Sequence, residues 1–138
     1  MIGHARRHVF TETQLYLLAQ ATRMVQAMPD EVNGEEVRCH EVARAVGHVL
    51  GLDVVDGKYG AVDHSWCVHS PPTRDVLDPY TIGRVPQVQL VCGSALLPEF
   101  ASYRAGEVRA DIREHVVAIL VECGLKALMN PYARGVDA

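Results

Sequence analysis

Three residue types that together can cleave or form an acyl bond occur in order along the chain: Cys39 in "VRCHEVARAVGHVLGL", His64 in "GAVDHSWCVHS" and Asp78 in "DVLDPY". A thiol is a nucleophile only as the thiolate, and two features favour that form: the unpaired N–H groups of a helix N-terminus and a neighbouring imidazolium. An imidazole takes the thiol proton and later returns it to a leaving amine, and a carboxylate fixes its tautomer and favours its charged form. Cys39, His64 and Asp78 are the candidates for nucleophile, base and orienting carboxylate. Taken singly, each also fits a structural role: a small core thiol, a satisfied strand histidine and a turn aspartate before proline.

Metal is the competing chemistry, because Cys39, His40, His64 and Cys67 are all zinc ligand types. Three residues apart in an alternating strand, His64 and Cys67 point to opposite faces, and adjacent helical residues such as Cys39 and His40 diverge. No metal site is therefore expected. No glycine-rich phosphate cradle or dinucleotide fingerprint occurs either, so no cofactor is expected.

The elements that must position these residues follow from periodicity. Thr11 and Gln14 stand in capping-box spacing, apolar character recurs at Leu15, Leu18, Ala19, Thr22 and Val25, and Pro29 ends this first helix. In a second helix Cys39, Val42, Ala43, Val46 and Val49 share a stripe that stops at Gly51. If it starts near Val37 or Arg38, Cys39 lies in its first turn; a capping box of Asn33 and Glu36 would instead place Cys39 in the second turn. Next, "LDVV" and "KYGAVDHSWCVH" alternate like strands around an Asp56-Gly57 turn, with Val62, His64, Trp66 and Val68 on one face and Asp63, Ser65, Cys67 and His69 on the other. Short strands are expected at "DVLD", stopped by Pro79, and at "PQVQLVC", with Pro86 at its start. Beyond a loop around "CGSALLPEF", a last helix carries Val108, Ile112, Val116, Ile119 and Cys123 on one face, with Gly124 as its stop. His48, Cys92 and Cys123 are assigned structural roles. The expected class is α+β, with helices packed on one face of a small antiparallel sheet.

Bulk properties set the bounds. The chain has 138 residues, 49% hydrophobic and 22% charged, which suits one globular domain over residues 1–138 and points away from disorder. Its net charge is −4 and its Lys and Arg residues are scattered, so it lacks the basic footprint of a nucleic-acid binder. Neither a secretory h-region nor a span of about 20 apolar residues is present, so no membrane partner is expected and a cytoplasmic location with free thiols is.

In this order and context the residues resemble the transglutaminase-like branch of the papain-like cysteine hydrolases. There the nucleophilic Cys begins a helix, the His lies on a strand in a His-x-Trp context and the Asp ends the next strand in a Leu-Asp-Pro context. The corresponding stretches are "CHEVARAVGHVLGL", "HSW" at His64 to Trp66 and "LDP" at Leu77 to Pro79, and the resemblance covers roughly residues 34 to 91. Family members often carry a small residue before the Cys and an aromatic one after it, where this chain has Arg38 and His40. The resemblance implies a papain-like fold and a thiol hydrolase or acyl transferase acting on an amide, either a peptide bond or a glutamine side chain, in a protein or peptide substrate. Hydrolysis is expected ahead of deamidation or transamidation. Trp66 is assigned to the substrate side, packing beside His64 and screening it from water. The alternative is a non-catalytic protein-binding module on the same fold.

Overall fold

The computed structural model describes residues 10–69, 75–80, 88–91, 102–108 and 111–129. The expected loops at "SPPTR" and "CGSALLPEF", Pro86 and Cys92 lie outside these residues.

Helix α1 runs Glu12–Gln26. Its capping box forms: Gln14 N–H donates to Thr11 Oγ1 (3.1 Å) and Thr11 N–H donates to Gln14 Oε1 (2.8 Å). Its buried face is Gln14, Leu17, Ala21, Met24 and Val25, so the expected stripe is out of phase; Leu15 is about half exposed. Gln14 is buried because its amide also donates to the buried Asp75 (3.0 Å), a contact 61 residues away in sequence.

Strands β1 (Glu31–Val32) and β2 (Glu35–Glu36) form a small antiparallel hairpin. Asn33 and Gly34 turn it with positive φ (53° and 82°), the backbone that two-residue hairpin loops require. Asn33 is thus committed to a turn, and helix α2 begins only at Cys39 and continues to Leu50. Gly51, at φ 71°, ends it in the left-handed conformation.

A five-stranded antiparallel sheet has the order β6-β5-β4-β3-β7, with β3 at Asp53–Tyr59, β4 at Val62–His69, β5 at Asp75–Asp78, β6 at Gln89–Val91 and β7 at Tyr103–Ala105. The expected Asp56-Gly57 turn is not one. Both residues lie inside β3, and the chain reverses at Gly60 (φ 62°) and Ala61. Gly57 is required there because β7 crosses so closely that a Cβ would sit 2.0 Å from the Arg104 carbonyl oxygen. Strand β7 itself was not anticipated from the sequence.

Helix α3 runs Glu114–Met129, beginning later than expected and passing through Gly124 instead of stopping there. At Gly124 it meets α1: a Cβ would come 2.6 Å from Met24 Cε. The main core lies between the helices and one sheet face, joining Met24, Val42, Val46, Cys67, Leu77 and Leu120 among others. Trp66, Val68 and Val76 pack on the other face with Val55 and Tyr103. This is the alternation expected for β4, and the register pairs Cys67 with Leu77 and Val68 with Val76. Among the described residues, no helix is long and apolar enough to cross a membrane.

Candidate active site

Cys39 is the first residue of α2. Arg38 caps the helix in extended conformation (φ −116°, ψ 164°), and its N–H donates to Glu41 Oε1 (3.0 Å). In the first turn the Cys39 amide has no carbonyl four residues back within the helix, so the thiol stands where the backbone N–H groups favour negative charge. The turn is held rigidly. Glu41 is fully buried and accepts from Arg38 Nη2 (2.6 Å), Arg113 Nε (3.1 Å) and Arg113 Nη2 (3.0 Å). Arg38 also donates to the Asp111 carbonyl and Arg113 to that of Glu36 (2.6 Å), tying the start of α2 to the hairpin and to the segment before α3. Burial alone would raise the Glu41 pKa; the two guanidinium groups outweigh it and hold the carboxyl at about 2.

His64 and Asp78 come together as expected from adjacent strands. Asp78 follows the Cys67–Leu77 pair by one residue and reaches His64 diagonally across the ladder. Nε2–H of His64 donates to Asp78 Oδ2 (2.7 Å), and both side chains are buried. Because a carboxylate only accepts, this bond places the neutral ring's proton on Nε2 and leaves Nδ1 as the base. Nδ1 is buried and makes no hydrogen bond of ordinary geometry. The same ring nevertheless interacts with the Cys39 thiol, since each alters the other's titration. For Cys39, burial works against ionisation, but hydrogen bonding to His40 and His64 and their charge overcome it, bringing the thiol down to about 6. For His64, burial disfavours the cation, while Asp78 and then Cys39 carry the ring up to about 9. Cys67 shows what burial does unaided by an imidazole. Its thiol, which donates to the Ala43 carbonyl (3.2 Å), is pushed up to about 12.

Two supporting residues went unrecognised in the sequence. Tyr103 of β7 donates its hydroxyl to Asp78 Oδ2 (2.7 Å) and accepts from the Gln89 amide (3.2 Å). Burial and the Asp78 charge hold that phenol protonated well above its usual range. With Asp78 Oδ1 accepting from Tyr80 N–H (3.2 Å), both carboxylate oxygens are engaged. The second residue is His40, considered above only as a metal ligand type. It is buried, its influence helps hold the Cys39 thiol at about 6, and its Nδ1 is 2.7 Å from Ser65 Oγ. No sequence signal marked Tyr103, whereas the "CH" pair at a helix start was visible.

Trp66 is 3% exposed, with its ring stacked beside His64 (centroids 6.1 Å apart) and edge-on to Tyr103 (5.1 Å). It screens the imidazole and offers almost no surface to a substrate. His48 is exposed on the last turn of α2. A cavity of about 20 Å³ lies between the end of α1 and the start of α2, lined by Val25, Met28, Pro29, Val37, Val42 and Tyr80 among others; neither Cys39, His64 nor Asp78 lines it. It has room for about one water. Among the described residues, no three His, Cys, Asp or Glu side chains cluster so as to hold a metal ion. No family model, curated protein or solved structure matches the chain.

Proposed function

We propose that the protein is a thiol-dependent acyl-transfer enzyme of the transglutaminase-like, papain-like class, with Cys39 as nucleophile, His64 as acid and base, and Asp78 as the carboxylate that orients His64. The single observation that carries this reading is the buried His64: one nitrogen is bound to Asp78 at 2.7 Å, and the other, free of ordinary hydrogen bonds, belongs to a ring that interacts with the Cys39 thiol. A buried basic nitrogen left unsatisfied costs free energy, and a purely structural histidine would be expected to have a partner there.

In the reaction the Cys39 thiolate attacks the carbonyl carbon of an amide, and negative charge develops on the oxygen. The Cys39 N–H at the start of α2 is the first donor to that oxygen. The His64 imidazolium gives its Nδ1 proton to the departing amine as the C–N bond breaks, leaving a thioester on Cys39. Water then attacks the thioester while Nδ1 accepts its proton, and collapse releases the acid and restores the thiolate–imidazolium pair. An amine in place of water would give transamidation by the same steps. Hydrolysis is the favoured outcome, on a peptide bond or a glutamine side chain.

The test is covalent trapping. A peptide aldehyde or vinyl sulfone should add once per chain, at Cys39 by mass spectrometry, and glutamine-containing peptides should lose ammonia or be cleaved at a rate that His64→Ala abolishes. Labelling spread equally over Cys39 and Cys123, with no turnover, would instead favour a non-catalytic binding module.

A further inference from the structure

The Asp78 carboxylate is shared between two donors. Its Oδ2 accepts from His64 Nε2–H and from the Tyr103 hydroxyl, each at 2.7 Å. Tyr103 Oη in turn accepts from Gln89 Nε2 (3.2 Å), so the phenol's single proton is directed to the carboxylate. Gln89 is the cross-strand partner of Asp78 on β6, whereas Tyr103 belongs to β7 at the opposite edge of the sheet. With neighbouring strands about 4.8 Å apart, the edges of a flat five-stranded sheet would stand about 19 Å apart, beyond the joint reach of these two side chains. The Gln89–Tyr103 bond therefore requires a sheet curled over this face. Gly57, which pairs with His64 on one side and Ala105 on the other, adds no side chain to the row between β4 and β7. The Tyr103 ring is fixed from three sides, edge-on to Tyr59 (centroids 4.8 Å) and Trp66 (5.1 Å) and tilted against His64 (6.3 Å).

We infer that Tyr103, held by Gln89, is a positioning residue that fixes Asp78 on the His64 imidazole and, by sharing Oδ2, reduces the negative charge the carboxylate offers to that ring. This rests on the proposed roles of His64 and Asp78. A hydroxyl dipole with its positive end on Oδ2 stabilises the carboxylate and offsets part of its field at the imidazole. Asp78 unshared would hold the imidazolium more tightly. With Tyr103 in place, His64 keeps Nε2–H on Asp78 and gives up the Nδ1 proton more readily, as a general acid must toward a departing amine. Tyr80 N–H holds the other oxygen, Oδ1 (3.2 Å), so the carboxylate is also kept from turning away. The titratable groups that face His64 are Asp78 from β5, Tyr103 from β7, Tyr59 from β3 and Cys39 from α2. Tyr103 acts through Asp78 and transfers no proton itself.

NMR titration of the full chain decides it. The midpoint of the His64 ring nitrogens should rise in Tyr103→Phe by about 0.5–1 pH from its unsubstituted value, less than the about 1–3 pH that a whole charge is worth. Gln89→Leu, which leaves the hydroxyl in place without its donor, should move the midpoint in the same direction by less, and no movement there would overturn the part of Gln89. An unmoved or lowered midpoint in Tyr103→Phe overturns the inference, because a merely structural tyrosine, whose ring phenylalanine preserves, would not raise it. The unsubstituted protein supplies a measurement that needs no variant: the Tyr103 ring carbon bearing the oxygen should keep its protonated shift through about pH 10, where a free tyrosine is half ionised. Ordinary titration there would mean that the hydroxyl does not donate to Asp78, and would overturn the inference as well. Failure of the enzyme reading shows elsewhere, as the absence of selective labelling at Cys39, and leaves these midpoints as expected, whereas failure of this inference shows in the midpoints alone.

Discussion

Lowering the pH from 7 to 5 should make Cys39 stand out from an ordinary thiol, not fade with it. With its pKa at about 6 against the usual 9.0, Cys39 is about nine-tenths thiolate at pH 7, where an ordinary thiol is about 1% ionised. That roughly 90-fold excess does not become a 90-fold rate, because a less basic thiolate is a weaker nucleophile. With a Brønsted coefficient of about 0.4–0.5, the loss over this pKa difference is about 16- to 32-fold, leaving a net advantage of only about 3- to 6-fold at pH 7. At pH 5 the thiolate fractions are about 9% and 0.01%, and the net advantage grows to about 30- to 60-fold. Cys39 is partly buried, which lowers its rate at both pH values by a common factor. The change in relative rate between the two pH values, about tenfold, is therefore independent of access. The assay is competitive iodoacetamide alkylation against a short cysteine peptide in the same mixture, read by peptide mass spectrometry. A ratio of rates that stays constant from pH 7 to pH 5 would mean that Cys39 is an ordinary thiol and that the His40–Cys39–His64 cluster does not ionise it.

Acid should weaken the fold through Glu41: its folded pKa lies below the unfolded value of 4.5, so its contribution is full above about 4.5 and is lost as pH falls toward about 2, in total about 3 kcal/mol. Urea unfolding at pH 5 and pH 2.5 measures this, and Glu41→Gln should remove most of the difference while lowering stability at neutral pH. Asp78→Asn should lower the alkaline limb of the activity profile from about 9 toward the ordinary histidine value of 6.5, with a partial loss of rate, whereas Tyr103→Phe, which leaves the carboxylate with one donor fewer, should not lower it. Gly57→Ala should destabilise by about 1–3 kcal/mol or displace β7 and Tyr103 with it, because the obstacle is backbone; Gly124→Ala should be near neutral in thermal midpoint, because the obstacle is the flexible end of Met24 and alanine favours the helix.

Local rules made several features legible in the chain. Thr11 and Gln14 cap α1 because the box is closed within four residues, and Gly51 ends α2 because only a left-handed residue stops it there. The alternation of β4 separates Trp66 and Val68 from Cys67 because a strand has period two wherever it sits. Order and context selected Cys39, His64 and Asp78 as candidates, and the fold sets His64 and Asp78 2.7 Å apart. The tertiary structure decided the rest, and in each case a distant segment did so. Gln14 set the phase of α1 through Asp75, 61 residues away. Gly57 and Gly124 read as a turn and a stop, yet each marks where another element passes too closely for a side chain, and a glycine's local signal is the same for both uses. Glu41 is buried between two guanidinium groups, the neighbouring Arg38 and Arg113 from 72 residues on. Tyr103, from a segment with no strand pattern, completes the coordination of Asp78 because β7 docks on β3. His40 acquires a defined tautomer only when β3 and β4 set Asp56 and Ser65 in line with it, since the proton's position follows from which acceptors the fold brings within reach.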